Sequence, residues 1–225
     1  MSVQWGAAPL AVLVGFTLTG RFLQQRPANS GQRVESEPRT AVGGQRTKVG
    51  DSPVRRRNAD RYDDQFRKYS KRYFGVGFDW RLFKAQGMAE SNLDSAARSW
   101  VGARGIMQLM PNTFHEISSK NPEMSRIDDP EWNIAAGILY DRLLWRQWAA
   151  DSVEDHRREF MLASYNAGRR TILSAQQMAR RDSLDYRSWP AIEAVAPKVR
   201  RWRSTETLGY LRRIDSLQAV IGRKR

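Results

Sequence analysis

An almost wholly α-helical domain is the fold class this sequence predicts, and three observations predict it. From Arg61 onward, apolar residues recur at intervals of three and four. Helix-start and helix-stop signals bracket those stretches, above all Asp129-Pro130 and Gly168. No run alternates apolar and polar residues for long enough to read as a half-buried strand.

The elements follow in order. Tyr62, Phe66, Tyr69 and Tyr73 fall on one face of a first helix, which Gly75 and Gly77 end. Asp79 is placed to cap a second helix carrying Leu82, Phe83, Gln86 and Glu90. The run SNLDSAARSWVGARG reads as loop. Pro111 suits the first turn of a third helix, to about Ser119. Asp129 caps a fourth, with Pro130 at its first position and Trp132, Ala135, Ala136, Leu139, Leu143 and Trp145 at helical spacing. A fifth runs from about Val153 to Ala167 and stops at Gly168. At least two more follow, one of them over Thr205 to Ile221. The tryptophans, Trp132 and Trp145 included, read mostly as core.

The first 60 residues read differently. Trp5 to Gly20 is sixteen residues without a charge, short of the ~20 of a typical membrane-spanning helix. It fits the apolar stretch of a secretory signal or a short membrane anchor; a buried hydrophobic helix is the alternative. Arg21 and Arg26 follow it and no Lys or Arg precedes it, so the orientation rule gives no support for export. Residues 21–60 are rich in Arg, Gly, Pro, Ser and Gln and read as a flexible basic linker, either adhesive to an anionic surface or a plain spacer. The expected division is 1–20 signal or anchor, 21–60 linker, and 61–225 folded domain.

Composition narrows the chemistry. The 225 residues carry 38 Lys+Arg against 24 Asp+Glu, a net charge of +14 that draws the chain to polyanions without choosing among them. The absence of cysteine excludes disulfides, thiolate metal sites and a cysteine nucleophile. His115 and His156 lack metal-ligand partners at useful spacing, so no metal and no cofactor are expected. No nucleic-acid-binding motif is visible. Arg200, Arg201 and Arg203 read as a solvated face able to meet anions.

Glu90 is the most informative residue. It ends an apolar helix stripe in GMAES. A helix C-terminus and apolar surroundings both disfavour a carboxylate there. That is how a general acid is made to work near neutral pH. By itself the position reads better as an ordinary surface glutamate at a helix end.

The neighbouring motifs add weight. Glu90-Ser91 is followed, eighteen residues after Glu90, by Gln108 within Gly105-Ile106-Met107-Gln108-Leu109-Met110-Pro111. Ser164-Tyr165-Asn166-Ala167-Gly168 comes next, then Glu206-Thr207-Leu208-Gly209-Tyr210-Leu211-Arg212-Arg213-Ile214. In this order the four segments resemble the signatures of the soluble lytic transglycosylase catalytic domain, a lysozyme-like family, over about Tyr62 to Ile221. Ser164 stands where that family usually has Ala, a change expected to leave the fold undisturbed. The long stretch between Gly168 and Glu206 looks more like the membrane-bound lytic transglycosylase F type.

The resemblance implies a lysozyme-like helical domain with a catalytic cleft at 61–225. It also implies peptidoglycan glycan strands as substrate and cleavage between N-acetylmuramic acid and N-acetylglucosamine to a 1,6-anhydro product. Glu90 would be the single acid and base, with Asp94 a loop cap. Ser91 would bind Glu90 or substrate, and Gly105 would let the backbone approach the glycan. Gln108 would meet an N-acetyl group, and Met107 would line the cleft or the core. Tyr165 would pack on a sugar, Asn166 would fix backbone or touch substrate, and Glu206 and Tyr210 would reach the cleft. A monomer in the cell envelope, periplasmic or membrane-anchored through its N-terminal segment, completes the expectation. A lysozyme-type hydrolase and an inactive glycan-binding scaffold are the alternatives.

Overall fold

Local capping groups open two of the helices. A computed structural model describes residues 60–149 and 153–223. Its helices are α1 (Asp63–Phe74), α2 (Arg81–Ser91), α3 (Pro111–Ser118), α4 (Pro130–Ala149), α5 (Arg157–Ala167), α6 (Arg169–Arg181), α7 (Trp189–Val195) and α8 (Ser204–Gly222). Asp79 Oδ1 accepts from the Arg81 backbone N–H at 3.1 Å at the head of α2. Asp129 Oδ1 accepts from the N–H groups of Glu131 at 2.9 Å and Trp132 at 3.2 Å, with Pro130 opening α4. Among the described residues the only β pairing is two isolated bridges, Arg98 to Arg104 and Arg104 to Leu109. The all-helical expectation holds.

α5 explains the architecture. Phe160, Met161, Leu162, Ala163 and Ser164 are all wholly buried, so this helix has no solvent face over that stretch and must lie in the middle. α4, α6 and α8 pack around it, and α2 packs along α8. Lys84, buried on α2, forms an ion pair with Asp63 at the start of α1. Trp148 of α4, also fully buried, donates its indole N–H to Ser164 Oγ of α5 at 3.0 Å. The hydroxyl at position 164 therefore has a structural use: it satisfies a buried donor.

Two expectations are corrected. The helix read from Val153 to Ala167 is a 3-10 turn, Glu154–His156, followed by α5. The break falls at His156, whose φ of −125° and ψ of 14° leave helical geometry. Leu143, placed on the apolar spacing of α4, is 42% exposed. The buried stripe there is Ile134, Ile138, Asp141, Leu144 and Trp148. Leu143 is two residues past Asp141 and so turned about 200° away from it. The readings of the segment 1–20 and of the linker up to residue 59 lie outside the described residues. Among the described residues no helix is long and apolar enough to cross a membrane.

Candidate active site

The last turn of α2 delivers Glu90 to a place where α4, α5 and α8 each contribute a tyrosine. Tyr210 of α8 donates its hydroxyl to Glu90 Oε1 at 2.7 Å. Tyr165 of α5 donates to the Met107 carbonyl at 2.8 Å, and its ring lies 5.3 Å from that of Tyr140 on α4. Burial drives the Glu90 carboxyl upward, while the Tyr210 hydrogen bond and the Arg213 guanidinium pull it back. The balance leaves it at about 7. Burial also lifts the Tyr165 and Tyr210 hydroxyls well above the ordinary phenol range, so both remain proton donors. Arg213 is exposed and reaches the Met88 carbonyl at 3.5 Å, near the C-terminal end of α2, where a cation is favoured.

The loop from 92 to 110 follows α2, and its backbone is held by side chains from outside it. Asn133 of α4 accepts from the Met107 N–H at 2.8 Å and donates to the carbonyls of Arg104 at 3.0 Å and Ile127 at 2.9 Å. Gly105 has a φ of +72°, and a Cβ there would lie 2.5 Å from Asn133 Nδ2. Asn133 fills the space a side chain would need. The glycine is required both by the left-handed turn and by that close approach. Met107 itself is fully buried, seated on Gly137, where an added Cβ would come within 2.7 Å of its side chain. Its backbone, not its thioether, is the part Tyr165 holds.

The other expected site residues divide by what they touch. Ser91 Oγ donates to the Ile106 carbonyl at 2.9 Å and accepts from the Asp94 N–H at 3.1 Å, so it ties the end of α2 to the loop and makes no bond to Glu90. Asp94 caps the turn after α2 by accepting from the Ala96 N–H at 2.9 Å. Gln108, only 7% exposed, turns inward and donates to the carbonyls of Gly105 at 2.9 Å and Ala97 at 3.3 Å. Its left-handed φ of 44° aims it there. Asn166 accepts from Thr207 Oγ1 at 2.9 Å, and Thr207 in turn accepts from the Trp202 indole at 3.0 Å, joining α5 to α8.

Glu206 sits one turn before Tyr210 on α8. Its carboxylate oxygens are enclosed without a hydrogen-bond partner, and Arg203 Nη1 is 3.9 Å away. Burial raises its pKa against the pull of Arg203. It makes no hydrogen bond to Glu90. His115 is exposed and His156 partly buried, Trp132 and Trp145 are half-buried against the core, and Trp100 is 70% exposed.

Sequence reasoning missed Asn133, Tyr140, Asp141, Gln86 as a hydrogen-bonding group, and Arg213. For Asn133 a signal existed: an amide set among the apolar residues that open α4. As assembled, the site can release a proton near neutrality and steady the resulting carboxylate with a phenol.

Comparison with known proteins gives the family and the fold. The sequence profile of the transglycosylase SLT domain matches residues 65–186. The membrane-bound lytic murein transglycosylase F of Desulfosudis oleivorans is 33% identical over 148 residues, covering 64% of this chain and 31% of the relative. The corresponding F 1 protein of Alkalilimnicola ehrlichii is 34% identical over 169 residues, covering 73% of this chain and 33% of the relative. The chain thus spans about a third of the length of these relatives. The 70 kDa soluble lytic transglycosylase of Escherichia coli superposes with a TM-score of 0.50 at 24% identity, over 70% of this chain and 23% of that one. That is a likeness of fold, the lysozyme-like helical one.

Proposed function

We propose that this chain, which belongs to the transglycosylase SLT domain family, is a peptidoglycan lytic transglycosylase with Glu90 as its single acid and base. One observation carries the reading: the Glu90 carboxyl is buried, its pKa raised to about 7, and hydrogen-bonded to a neutral phenol, with no hydrogen bond to a second carboxylate among the described residues. The names of its relatives, lytic murein transglycosylases, supply the substrate class.

Tyr210 occupies Oε1, which leaves Oε2 to carry the proton. That proton passes to the oxygen bridging N-acetylmuramic acid and N-acetylglucosamine as the bond breaks, and positive charge develops at the anomeric carbon. The sugar's own N-acetyl carbonyl stabilises that charge, so no enzymic nucleophile is required. Glu90, now anionic and steadied by the Tyr210 hydroxyl, takes the proton of the 6-hydroxyl on the same ring. That oxygen closes onto the anomeric carbon and outcompetes water because it is already in place. The backbone of Gly105 to Gln108, braced by Asn133 and Tyr165, forms the wall against which the sugar is held. The setting we assign is the cell envelope.

Mass analysis of purified sacculi digested by the chain tests this. Anhydro-muropeptides are expected, and Glu90→Gln should abolish their release. Products heavier by one water would instead assign a hydrolase. Release that persists in Glu90→Gln would overturn the role of Glu90, and no release by the wild type would leave a glycan-binding scaffold.

A further inference from the structure

One enclosed group takes no part in that chemistry. Asp141 is fully buried on α4, one turn past Gly137 and two past Asn133, on the face that carries the loop. Among the described residues one hydrogen bond reaches it: Gln86 Nε2 donates to Oδ1 at 3.3 Å. Gln86 is itself fully buried on α2, one turn before Glu90. Oδ2 of Asp141 and Oε1 of Gln86 are both enclosed and have no hydrogen-bond partner among the described residues. The titratable groups facing Asp141 are Glu90 on α2, Tyr165 on α5 and Tyr210 on α8, with Tyr140 beside it on α4. None of them is a cation, and Asp141 forms no ion pair among the described residues.

An anionic carboxylate with one amide donor and no cation is the costlier state in such a place. Protonation removes the charge and turns an orphan acceptor into a donor. A protonated Oδ2 can then donate to Gln86 Oε1, while Gln86 Nε2 donates to Asp141 Oδ1.

We propose that Asp141 is a positioning residue that carries its own proton, a neutral carboxylic acid paired with the Gln86 amide that ties α4 to the helix bearing Glu90. Burial is the largest influence holding Asp141 well above the carboxylate range; the Gln86 bond opposes it and the charge of Glu90 adds to it. When Glu90 gives up its proton, Asp141 keeps its own. The site then carries one negative charge instead of two, and the strut under α2 stays unchanged through the cycle.

A test that needs no activity uses the Glu90→Gln background, which removes the other raised carboxyl of the pair. Thermal melting is followed from about pH 5 to about pH 9 for Glu90→Gln and for Glu90→Gln/Asp141→Asn. Folded Asp141 holds a proton that the unfolded chain releases, so rising pH favours unfolding only where Asp141 is present. The melting temperature of Glu90→Gln should fall relative to the double variant by roughly 5 °C over that range. Infrared difference spectra near neutral pH should show a protonated-carboxyl carbonyl band that Asp141→Asn removes. Parallel melting profiles, or no such band, overturn the proposal.

The positioning role rests on the transglycosylase reading and is tested by kinetics. Asp141→Leu should lower kcat about tenfold with KM changed less than about twofold, and Asp141→Asn, which keeps a donor for Gln86, should recover most of it. Equal losses in the two variants overturn the positioning role. An inactive wild type overturns the proposed function, and melting and infrared spectra then decide the state of Asp141 by themselves.

Discussion

The Tyr210 hydroxyl reaches Glu90 Oε1 at 2.7 Å from 120 residues away in sequence, and it is the one hydrogen bond to that carboxyl among the described residues. Such a bond favours the anion, so it lowers the pKa of an acid that burial has raised. Tyr210→Phe should therefore move the alkaline fall of kcat/KM to higher pH. It should also lower kcat roughly tenfold to a hundredfold, because the carboxylate formed in the reaction loses its donor. A pH–rate profile on a soluble glycan checks both; a limb displaced toward acid would contradict the assignment.

Glu90 should also weaken the fold as pH rises. Below the ordinary carboxylate value both folded and unfolded chains hold the proton. Above it the unfolded chain releases a proton that the folded one keeps until about 7. The stability is thus complete at low pH and lost as pH rises through about 7. Glu90→Gln does not titrate, so it should gain on the wild type by on the order of 3 kcal/mol between about pH 4 and about pH 8. Urea denaturation at the two pH values measures this.

Asn133→Ala should damage the wall without touching the acid. It removes two hydrogen bonds that bind the loop to α4 and a third to the Ile127 carbonyl, and it leaves an enclosed N–H unmatched, at a cost of roughly 2–4 kcal/mol. With the Met107 backbone released, KM for glycan should rise while the pH limb set by Glu90 stays in place. Steady-state kinetics across pH separates the two effects.

Ser164→Ala is a smaller change with a definite cost. It strands the buried indole N–H of Trp148, worth about 1–3 kcal/mol. Trp148→Phe removes the donor, so the serine should matter less in that background, and a double-mutant cycle by denaturation reads the coupling.

The parts of this molecule that sequence disclosed are those decided within a few residues. Asp79 and Asp129 cap the helices that follow them because the donors lie two or three positions on. Gly168 stops α5 for an equally local reason. Glu90 was found through motifs that travel with it. What stayed hidden depends on which helices meet. Nothing near Ser164 announces Trp148, and nothing near Asp141 announces Gln86. A polar residue on the buried stripe of α4 displaced the apolar reading onto Leu143, which faces solvent. No spacing in the sequence announces that a left-handed backbone turns the Gln108 amide nitrogen to the loop's own carbonyls.

α4 performs two tasks from a single rod: Asn133 grips the loop, and Asp141, eight residues on, meets α2. An insertion or deletion between them would swing one about 100° around the axis relative to the other, so neither grip could survive intact. The spacing of that segment should thus be frozen in length even where its identities drift. Grafting a foreign glycan-recognition loop onto this scaffold should begin by keeping those eight positions in register.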